Sequence, residues 1–353
     1  MDIVNLTKVM VPAFVAFTVG IAITPVITHF LYQYKVWKKN PGKTTLEGTD
    51  AIEFNKLHKE NERKTPRMGG VVIWGSALIT ILSIWIISLL FPTAETLKMD
   101  FLSREQTWIP LFALGIGALT GFISDLFDVA FHGRGVSLRY RLLVVFVLSL
   151  FIGWWFYAKL AISTIGVPFG QPLEIGWLII PAFILTSLGL YASGIIDGID
   201  GLSGGVFSMI FGAYAFIALS QNQVDLAAFS AMLVGAILAF LWFNVPPARF
   251  YMTETGSMAL TLTLATIAFM TDTLGDGIGI ALLPIIGFLL VATVASTILQ
   301  QLSKKFLKRK LFRIAPLHHH FEALGWPTSK VTFRYWILGA IFALFGIILA
   351  LIA

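Results

Sequence analysis

The chain has 353 residues, of which 57% are hydrophobic and only 12% are charged. Soluble domains average about 25% charged residues, so this composition excludes a soluble globular protein. There is no cysteine, which excludes disulfides, thiolate catalysis and cysteine-ligated metals. The formal net charge of +6 is concentrated in short loops between apolar stretches, which indicates contact with membrane lipid and no nucleic-acid partner.

About ten apolar stretches are long enough, or nearly so, to cross the hydrocarbon core as helices of about 20 residues. They are continuous and lack the alternation of membrane strands, which favours helices over a barrel. We therefore predict an all-α integral membrane protein with a single polytopic domain over residues 1–353, whose first stretch is a permanent span. The predicted spans are 8–31, 69–91, 108–124, 142–161, 177–194, 203–220, 226–243, 256–271, 280–302 and 332–352.

The positive charge is distributed unevenly between the two sides of this bundle. The loops that follow the odd-numbered spans hold 20 of the 25 Lys and Arg residues. Positively charged loops stay in the cytoplasm, so these loops are predicted to be cytoplasmic and both termini to lie outside. The same loops carry the polar motifs of the chain, which predicts one site on the cytoplasmic face.

The motif Asp-Gly-Ile-Asp-Gly at 197–201 directly follows the fifth span. If a helix continues here, Asp197 and Asp200 share a face, and their carboxylates point the same way. Hard cations prefer oxygen ligands, so the pair suits Mg²⁺ or a substrate hydroxyl; a hydrated helix cap is the alternative. Asp125, with Asp128 nearby, ends the third span and is either boundary polarity or part of the same site.

Two further motifs begin predicted spans. Pro246 and Pro247 end one helix, and Glu254 stands where the next begins, beside backbone N–H groups that can hold phosphate oxygens. A simple helix cap is the alternative for Glu254. Gly69 and Gly70 open the second span and permit close approach of the backbone to an anion or to another helix.

Three adjacent histidines, His318, His319 and His320, form the most unusual string of the chain. Adjacent side chains diverge on a helix and on a strand, so all three cannot reach one ligand and two are expected to face the site. An internal metal-binding tract and a solvated polar loop are the alternatives.

Taken together and in this order, the motifs resemble those of the phospho-N-acetylmuramoyl-pentapeptide transferase family, in the superfamily of polyprenyl-phosphate N-acetylhexosamine-1-phosphate transferases. The resemblance covers nearly the whole chain. Its most specific part is Ala-Pro-Leu-His-His-His-Phe-Glu at 315–322, followed by Gly-Trp-Pro at 325–327.

The resemblance implies a reaction at the cytoplasmic face of the bacterial inner membrane. The phosphate of undecaprenyl phosphate attacks the sugar-linked phosphorus of UDP-MurNAc-pentapeptide, UMP leaves, and lipid I remains in the membrane. Mg²⁺ is the implied cofactor, and a homodimer is compatible with the family resemblance.

The resemblance also implies roles for individual residues. Catalytic roles fall to Asp125, Asp197, Asp200, Glu254, His318 and His319, and the metal ligands are Glu254 and Asp125. Substrate binding falls to Thr65, Gly69, Gly70, Asn244, Tyr251, Gln300 and His320.

The chain departs from the family pattern at several of these motifs. Ser124 stands for the first aspartate after the third span, Gly194 for an asparagine, Glu254 for an aspartate and Arg67 for a threonine. Two alternatives therefore stay open: a related transferase with another UDP-sugar donor, and a non-catalytic membrane protein that binds UDP-sugar or lipid. A transporter is disfavoured because the acidic residues cluster at span ends rather than in mid-span.

Overall fold

The computed structural model is almost entirely helical and describes residues 3–37, 42, 55, 64–103, 106–130 and 136–353. Each predicted span is helical over most of its length, and β1 (Thr164–Ile165) pairs antiparallel with β2 (Leu173–Glu174). The helices are α1 (Ile3–Gln33), α2 (Gly70–Leu90), α3 (Ala94–Met99), α4 (Trp108–Ala130), α5 (Leu138–Ala158), α6 (Ile179–Ser193), α7 (Leu202–Ser220), α8 (Val224–Asn244), α9 (Thr253–Met270), α10 (Gly279–Ile286), α11 (Phe288–Leu307), α12 (Leu317–Ala323) and α13 (Thr328–Ile352).

The prediction of an all-α membrane protein is confirmed. Eight helices in the described ranges are long and apolar enough to cross a membrane, and a ninth is added if α10 and α11 form one broken span. The eighth predicted stretch, 256–271, is helical in α9, but α9 is not among these candidate spans. Threonines interrupt its apolar sequence, and α9 is buried along nearly its whole length. It lies inside the protein rather than against lipid.

The ninth predicted span is broken. Its two parts, α10 and α11, meet at Gly287 with a bend of 68°. Pro284 lies inside α10, one turn before the break, and proline both removes a backbone donor and crowds the preceding turn. Pro25, by contrast, lies within α1 without ending that helix. After the bend, α11 continues to Leu307, directly before the loop that carries the three histidines.

Close helix packing at this end depends on glycine. A Cβ on Gly121 of α4 would collide with the backbone of Glu254 on α9, and a Cβ on Gly70 of α2 would collide with the backbone of Gly256. Only glycine lets these backbones approach so closely. The contacts bring the beginnings of α2 and α9 and the end of α4 to one place.

The opposite end of the bundle is built around a buried carboxylate. Asp272, just after α9, is 1% exposed and accepts hydrogen bonds from the backbone N–H groups of Gly166 (2.6 Å) and Ile280 (2.9 Å). These bonds attach the β1–β2 hairpin and the beginning of α10 to the central helix. Burial raises the pKa of Asp272, although its hydrogen bonds oppose the change.

Candidate active site

A cavity of about 430 Å³ opens where the loops after the odd-numbered predicted spans come together. Every one of those five loops, or the helix end beside it, contributes to the wall. The polar lining residues include Arg67, Arg141, Tyr191, Asp197, Tyr251, Thr253, Glu254, Ser257, Thr297 and His319. The structure therefore brings together residues that the sequence separates by up to about 250 positions.

Thr253, the first residue of α9, connects two of the predicted catalytic acids. Its backbone N–H donates to Asp197 Oδ2 (2.8 Å), and its hydroxyl donates to Asp125 Oδ2 (2.6 Å). Thr253 adopts a left-handed φ of 55°, which is unfavourable for a β-branched residue and typically costs about 1–3 kcal/mol. The hydrogen bonds to both carboxylates hold it in that conformation.

Asp125 is almost fully buried, at 1% exposed, and is surrounded by donors. Besides the Thr253 hydroxyl, Oδ2 accepts from the backbone N–H (2.8 Å) and the hydroxyl (2.6 Å) of Thr255. Oδ1 accepts from Arg67 Nη2 at 3.2 Å, and Arg67 Nη1 also pairs with Asp128 at 3.3 Å. Asp125 thus organises the beginning of α9 from the end of α4.

Glu254 pairs with a second arginine. Its Oε1 accepts from Nη1 of Arg141, which lies in the first turn of α5. Its other oxygen, Oε2, and Arg141 Nε are both buried and make no hydrogen bond within standard distance and angle limits, although the Tyr191 hydroxyl lies close enough to interact with the pair. Arg141 and Glu254 side chains are 26% and 22% exposed. The pair is thus partly enclosed and borders the cavity.

The expectation that Asp197 and Asp200 point the same way is wrong. A 3₁₀ turn (Gly194–Ile196) ends before the motif, and Gly201, at φ 75°, reverses the chain before α7 begins. Asp197 accepts from Ser203 Oγ (2.7 Å) at the cavity, whereas Asp200 Oδ2 accepts from the backbone of Ala248 (3.0 Å). Because no helix continues through the motif, the spacing of three places the two carboxylates on different sides.

Asn244 lies outside the cavity and, like Asp200, bonds to the backbone of the surrounding loops. Its Oδ1 accepts from Gly201 N (3.0 Å), and its Nδ2 donates to the carbonyl of Phe250 (2.8 Å). Asp200 and Asn244 together fasten the loop after α8 to the beginning of α7. Neither residue lines the cavity, so both are placed where they support its walls.

Burial raises the pKa of Asp197, the acid that lines the cavity, and the nearby Asp125 carboxylate raises it further. Hydrogen bonds from Ser203 and Thr253 and the positive charge of Arg67 oppose this increase. Asp197 therefore binds a proton more readily than an ordinary aspartate does.

The three histidines of α12 point to different places. His319 lines the cavity, and its Nδ1 lies 2.7 Å from Glu322 Oε2. His318 is fully buried against Gly198, where a Cβ would collide with its ring. His320 Nδ1 accepts from the backbone of Arg313 (3.2 Å), outside the cavity. One ring of the three lines the cavity, where the sequence led us to expect two.

The remaining predicted substrate-binding residues divide into two groups. Tyr251 lines the cavity, whereas Thr65, Gly69, Gly70 and Gln300 do not. Gly69 donates to the carbonyl of Tyr251 (2.8 Å), so the paired glycines serve helix and loop packing. Gln300 is buried and holds the segment after α11 through bonds to the backbone of residues 311 and 312.

The side chains of the site offer Mg²⁺ only a partial set of ligands. In the ranges that the structure describes, no three His, Asp or Glu side chains are grouped to hold a metal ion. Asp125 Oδ2 already accepts from three donors, and its Oδ1 faces Arg67. Mg²⁺ is often held by one or two carboxylates together with substrate phosphates, and Glu254 Oε2 is an oxygen that fits such a partial set.

Sequence reasoning missed Arg141, Thr253, Thr255, Ser203 and Glu322 as parts of the site. In the sequence, Arg141 lies just before the predicted span 142–161 and indicates only topology, whereas the structure begins the helix at Leu138 and so places Arg141 in its first turn. The hydroxyl residues gave no signal, because serine and threonine are common in membrane helices and usually bond to their own backbone. Their role depends on contacts with distant acids.

Comparison with known proteins agrees with this geometry. A family model described as "Glycosyl transferase family 4" matches residues 107–272, which include Asp125, Asp197 and Glu254. Curated proteins named phospho-N-acetylmuramoyl-pentapeptide-transferase are similar over nearly their whole length. Those of Anoxybacillus flavithermus and Geobacillus sp. (strain WCH70) are 33% and 34% identical, covering 97% of this chain and 98% of each relative.

The protein of that name from Bacillus subtilis is 33% identical, over 94% of both chains. These similarities extend through all the helices and loops that form the cavity. The chain belongs to the phospho-N-acetylmuramoyl-pentapeptide transferase family.

Proposed function

We propose that the protein transfers phospho-MurNAc-pentapeptide from UDP-MurNAc-pentapeptide to undecaprenyl phosphate, releasing UMP and leaving lipid I in the membrane. The observation that carries this proposal is a polar cavity and an apolar groove that share two helices. A reaction between a soluble nucleotide and a membrane lipid needs both environments next to each other. The similarity to named transferases supports the same donor and acceptor.

The apolar groove supports the lipid part of the proposal. It has a volume of about 490 Å³ and lies between α6 and the broken pair α10–α11. Leu190 and Ser193 of α6 line it, and the neighbouring Tyr191 and Gly194 line the polar cavity. On α11, Ile298 lines the groove and Thr297 the cavity. A polyprenyl chain in the groove would have its phosphate directed toward the cavity.

The polar cavity supports the phosphoryl part. Phosphoryl transfer is accelerated mainly by positioning and by neutralising charge on the phosphate oxygens. Arg67 and Arg141 offer guanidinium groups that suit phosphate oxygens, and His319 offers a ring nitrogen. Asp197 is rigidly held by Ser203 and Thr253 and can orient the acceptor or a donor hydroxyl. The acceptor phosphate is itself anionic near neutral pH and needs little activation by a base.

Mg²⁺ is part of the proposal, with Glu254 Oε2 and donor phosphates as its ligands. When bound, the ion supplies positive charge to the phosphate oxygens during transfer. We further propose that the cavity faces the cytoplasm of the bacterial inner membrane, because the loops that form it carry most of the Lys and Arg residues.

A second candidate is a binding protein without transferase activity. It is favoured by one observation: both acids expected to hold the metal are paired with arginine. Such a protein would bind a UDP-sugar or the lipid without turnover.

The test is transfer by the purified chain in detergent with Mg²⁺, undecaprenyl phosphate and UDP-MurNAc-pentapeptide. We expect UMP release together with a lipid-linked product, and the loss of both on Asp197→Asn substitution. A competing UDP-GlcNAc pool should not reduce the product. Donor binding without UMP release would establish the second candidate, and preferential use of UDP-GlcNAc would identify a related transferase.

A further inference from the structure

Two arginines of the site occupy the positions beside the carboxylates that are expected to bind a metal ion. Arg141 pairs with Glu254, and Arg67 pairs with Asp125 and Asp128. The charged partners come from four different parts of the chain, namely the loop before α2, α4, the beginning of α5 and α9. The pairing is therefore a product of the tertiary fold and not of neighbouring sequence.

An arginine paired with a carboxylate competes with a divalent cation for that carboxylate. The attraction between opposite charges is stronger in a partly enclosed site than at an open surface, because the effective dielectric constant is lower. At Glu254 the competition is direct, since Arg141 Nη1 bonds to Oε1 of the same carboxylate that offers Oε2. A cation bound at Glu254 would lie close to a guanidinium and be repelled by it.

The Arg141–Glu254 pair also has a donor without a well-aligned acceptor. Arg141 Nε is buried and makes no hydrogen bond of normal geometry, although the Tyr191 hydroxyl lies close to the pair, and a buried donor without a good acceptor is destabilising. A phosphate group that enters the cavity could accept from Nε and Nη together, which is the bidentate geometry that arginine favours with phosphate. The phosphate would then weaken the hold of Arg141 on Glu254.

We propose that Arg141 keeps Glu254 closed to divalent cations until a nucleoside diphosphate binds, so that the nucleotide creates the metal site. The diphosphate draws the guanidinium onto its own oxygens and leaves the Glu254 carboxylate, with the phosphates, to hold the cation. The inference rests on the proposed function only in taking a nucleoside diphosphate as the ligand of the cavity.

The first experiment uses the unaltered protein in detergent. Mn²⁺ serves as the probe for the divalent cation, and its free concentration is followed by electron paramagnetic resonance, with UDP as the nucleoside diphosphate. We expect saturating UDP to lower the Kd of the protein for Mn²⁺ by at least about tenfold, after correction for the Mn²⁺ that free UDP binds. Mn²⁺ should lower the Kd of the protein for UDP by the same factor.

The second experiment removes the competing charge. Arg141→Gln should bind Mn²⁺ about tenfold more tightly than the wild type when no nucleotide is present. Arg139→Gln is the matched control, because Arg139 lies two residues earlier in the same helix, is exposed, and has no ion pair in the described residues. The double variant Arg141→Gln, Glu254→Gln should lose the gained affinity, which would locate the ion at Glu254.

Tight Mn²⁺ binding to the wild type without UDP, unchanged by UDP, would overturn the inference even if Arg141→Gln fails to fold. Equal Mn²⁺ affinity in folded Arg141→Gln and wild type would overturn it as well. These readouts do not depend on turnover. Nucleotide-dependent Mn²⁺ binding without lipid I synthesis would reject the proposed function alone, whereas lipid I synthesis with no such dependence would reject this inference alone.

Discussion

His319 Nδ1 lies 2.7 Å from Glu322 Oε2, one turn further along α12, and this contact fixes how the histidine faces the cavity. Glu322 is itself held, since its Oε1 accepts from the Thr328 hydroxyl at 3.1 Å. A carboxylate bound to one ring nitrogen makes the other nitrogen more basic and sets the ring orientation. Glu322 is thus a positioning residue for His319.

Glu322→Gln should therefore lower turnover by about tenfold while the protein stays folded, because the amide keeps the shape but not the charge. The conservative variant Glu322→Asp, which keeps the charge, should recover part of the lost turnover. Steady-state kinetics of the two variants measure the effect. Equal losses in both variants, together with reduced thermal stability, would assign Glu322 a purely structural role.

His319→Ala should cost about 10²-fold or more in turnover if the ring acts on the reacting groups. His320→Ala should cost much less, because His320 contacts the backbone of Arg313 outside the cavity. Burial and the nearby Arg313 lower the pKa of His320, so its ring is neutral near neutral pH and gives donor binding no pH dependence there. Equal losses for the two variants would contradict this assignment.

Gly121→Ala should lower the stability of the folded protein by about 1–3 kcal/mol, because the new Cβ meets the backbone of Glu254 and forces α4 away from α9. The control is Gly115→Ala in the same helix, where an added Cβ would have no neighbouring atom within 4 Å. Thermal unfolding in detergent compares the two. If both variants melt alike, the close approach of α4 and α9 is not needed for stability.

Asp272 makes stability depend on pH. Its folded-state pKa is raised above the ordinary value of 3.8, so the folded protein binds the proton more tightly than the unfolded chain does. The preferential protonation of Asp272 in the folded state therefore adds to the free energy of unfolding. This stabilisation is fully present below pH 3.8 and is lost as the pH rises through the raised pKa. Asp272→Asn should remove that slope, and Asp276→Asn, at an exposed position of the same loop, should keep it. Unfolding at several pH values tests this, and parallel slopes for both variants would contradict it.

The orientation can be tested by single-cysteine labelling, since the chain has no cysteine of its own. Lys310→Cys, in the segment after α11, should be protected from a membrane-impermeant maleimide in intact cells. Phe169→Cys, which is 69% exposed between β1 and β2, should react. The reverse pattern would place the cavity outside the cytoplasm and refute the proposed donor.

Local sequence was enough to predict the membrane class, the approximate ends of most helices and the loops that meet at the site. These properties depend on local segments only. An apolar stretch of sufficient length partitions into lipid independently of the other stretches, and the positive charge of a loop determines on which side of the membrane the loop lies. Local sequence singled out the acidic motifs and the three histidines as unusual, and the family resemblance supplied the roles expected of Asp125, Asp197, Glu254 and His319.

How those residues act depends on the three-dimensional packing of the helices. The motif alone does not predict that the Asp200 carboxylate accepts a hydrogen bond from the backbone of Ala248. That contact forms because the chain reverses at Gly201 where a helix was expected to continue. Nor does the sequence pair Arg141 with Glu254 across 113 residues. Such contacts depend on how closely helices cross, and a single missing Cβ at Gly121 or Gly70 sets that distance. A hydrogen-bonded ion pair forms only when its N and O atoms lie within about 4 Å, so the chemistry of the site is fixed by packing and not by spacing along the chain.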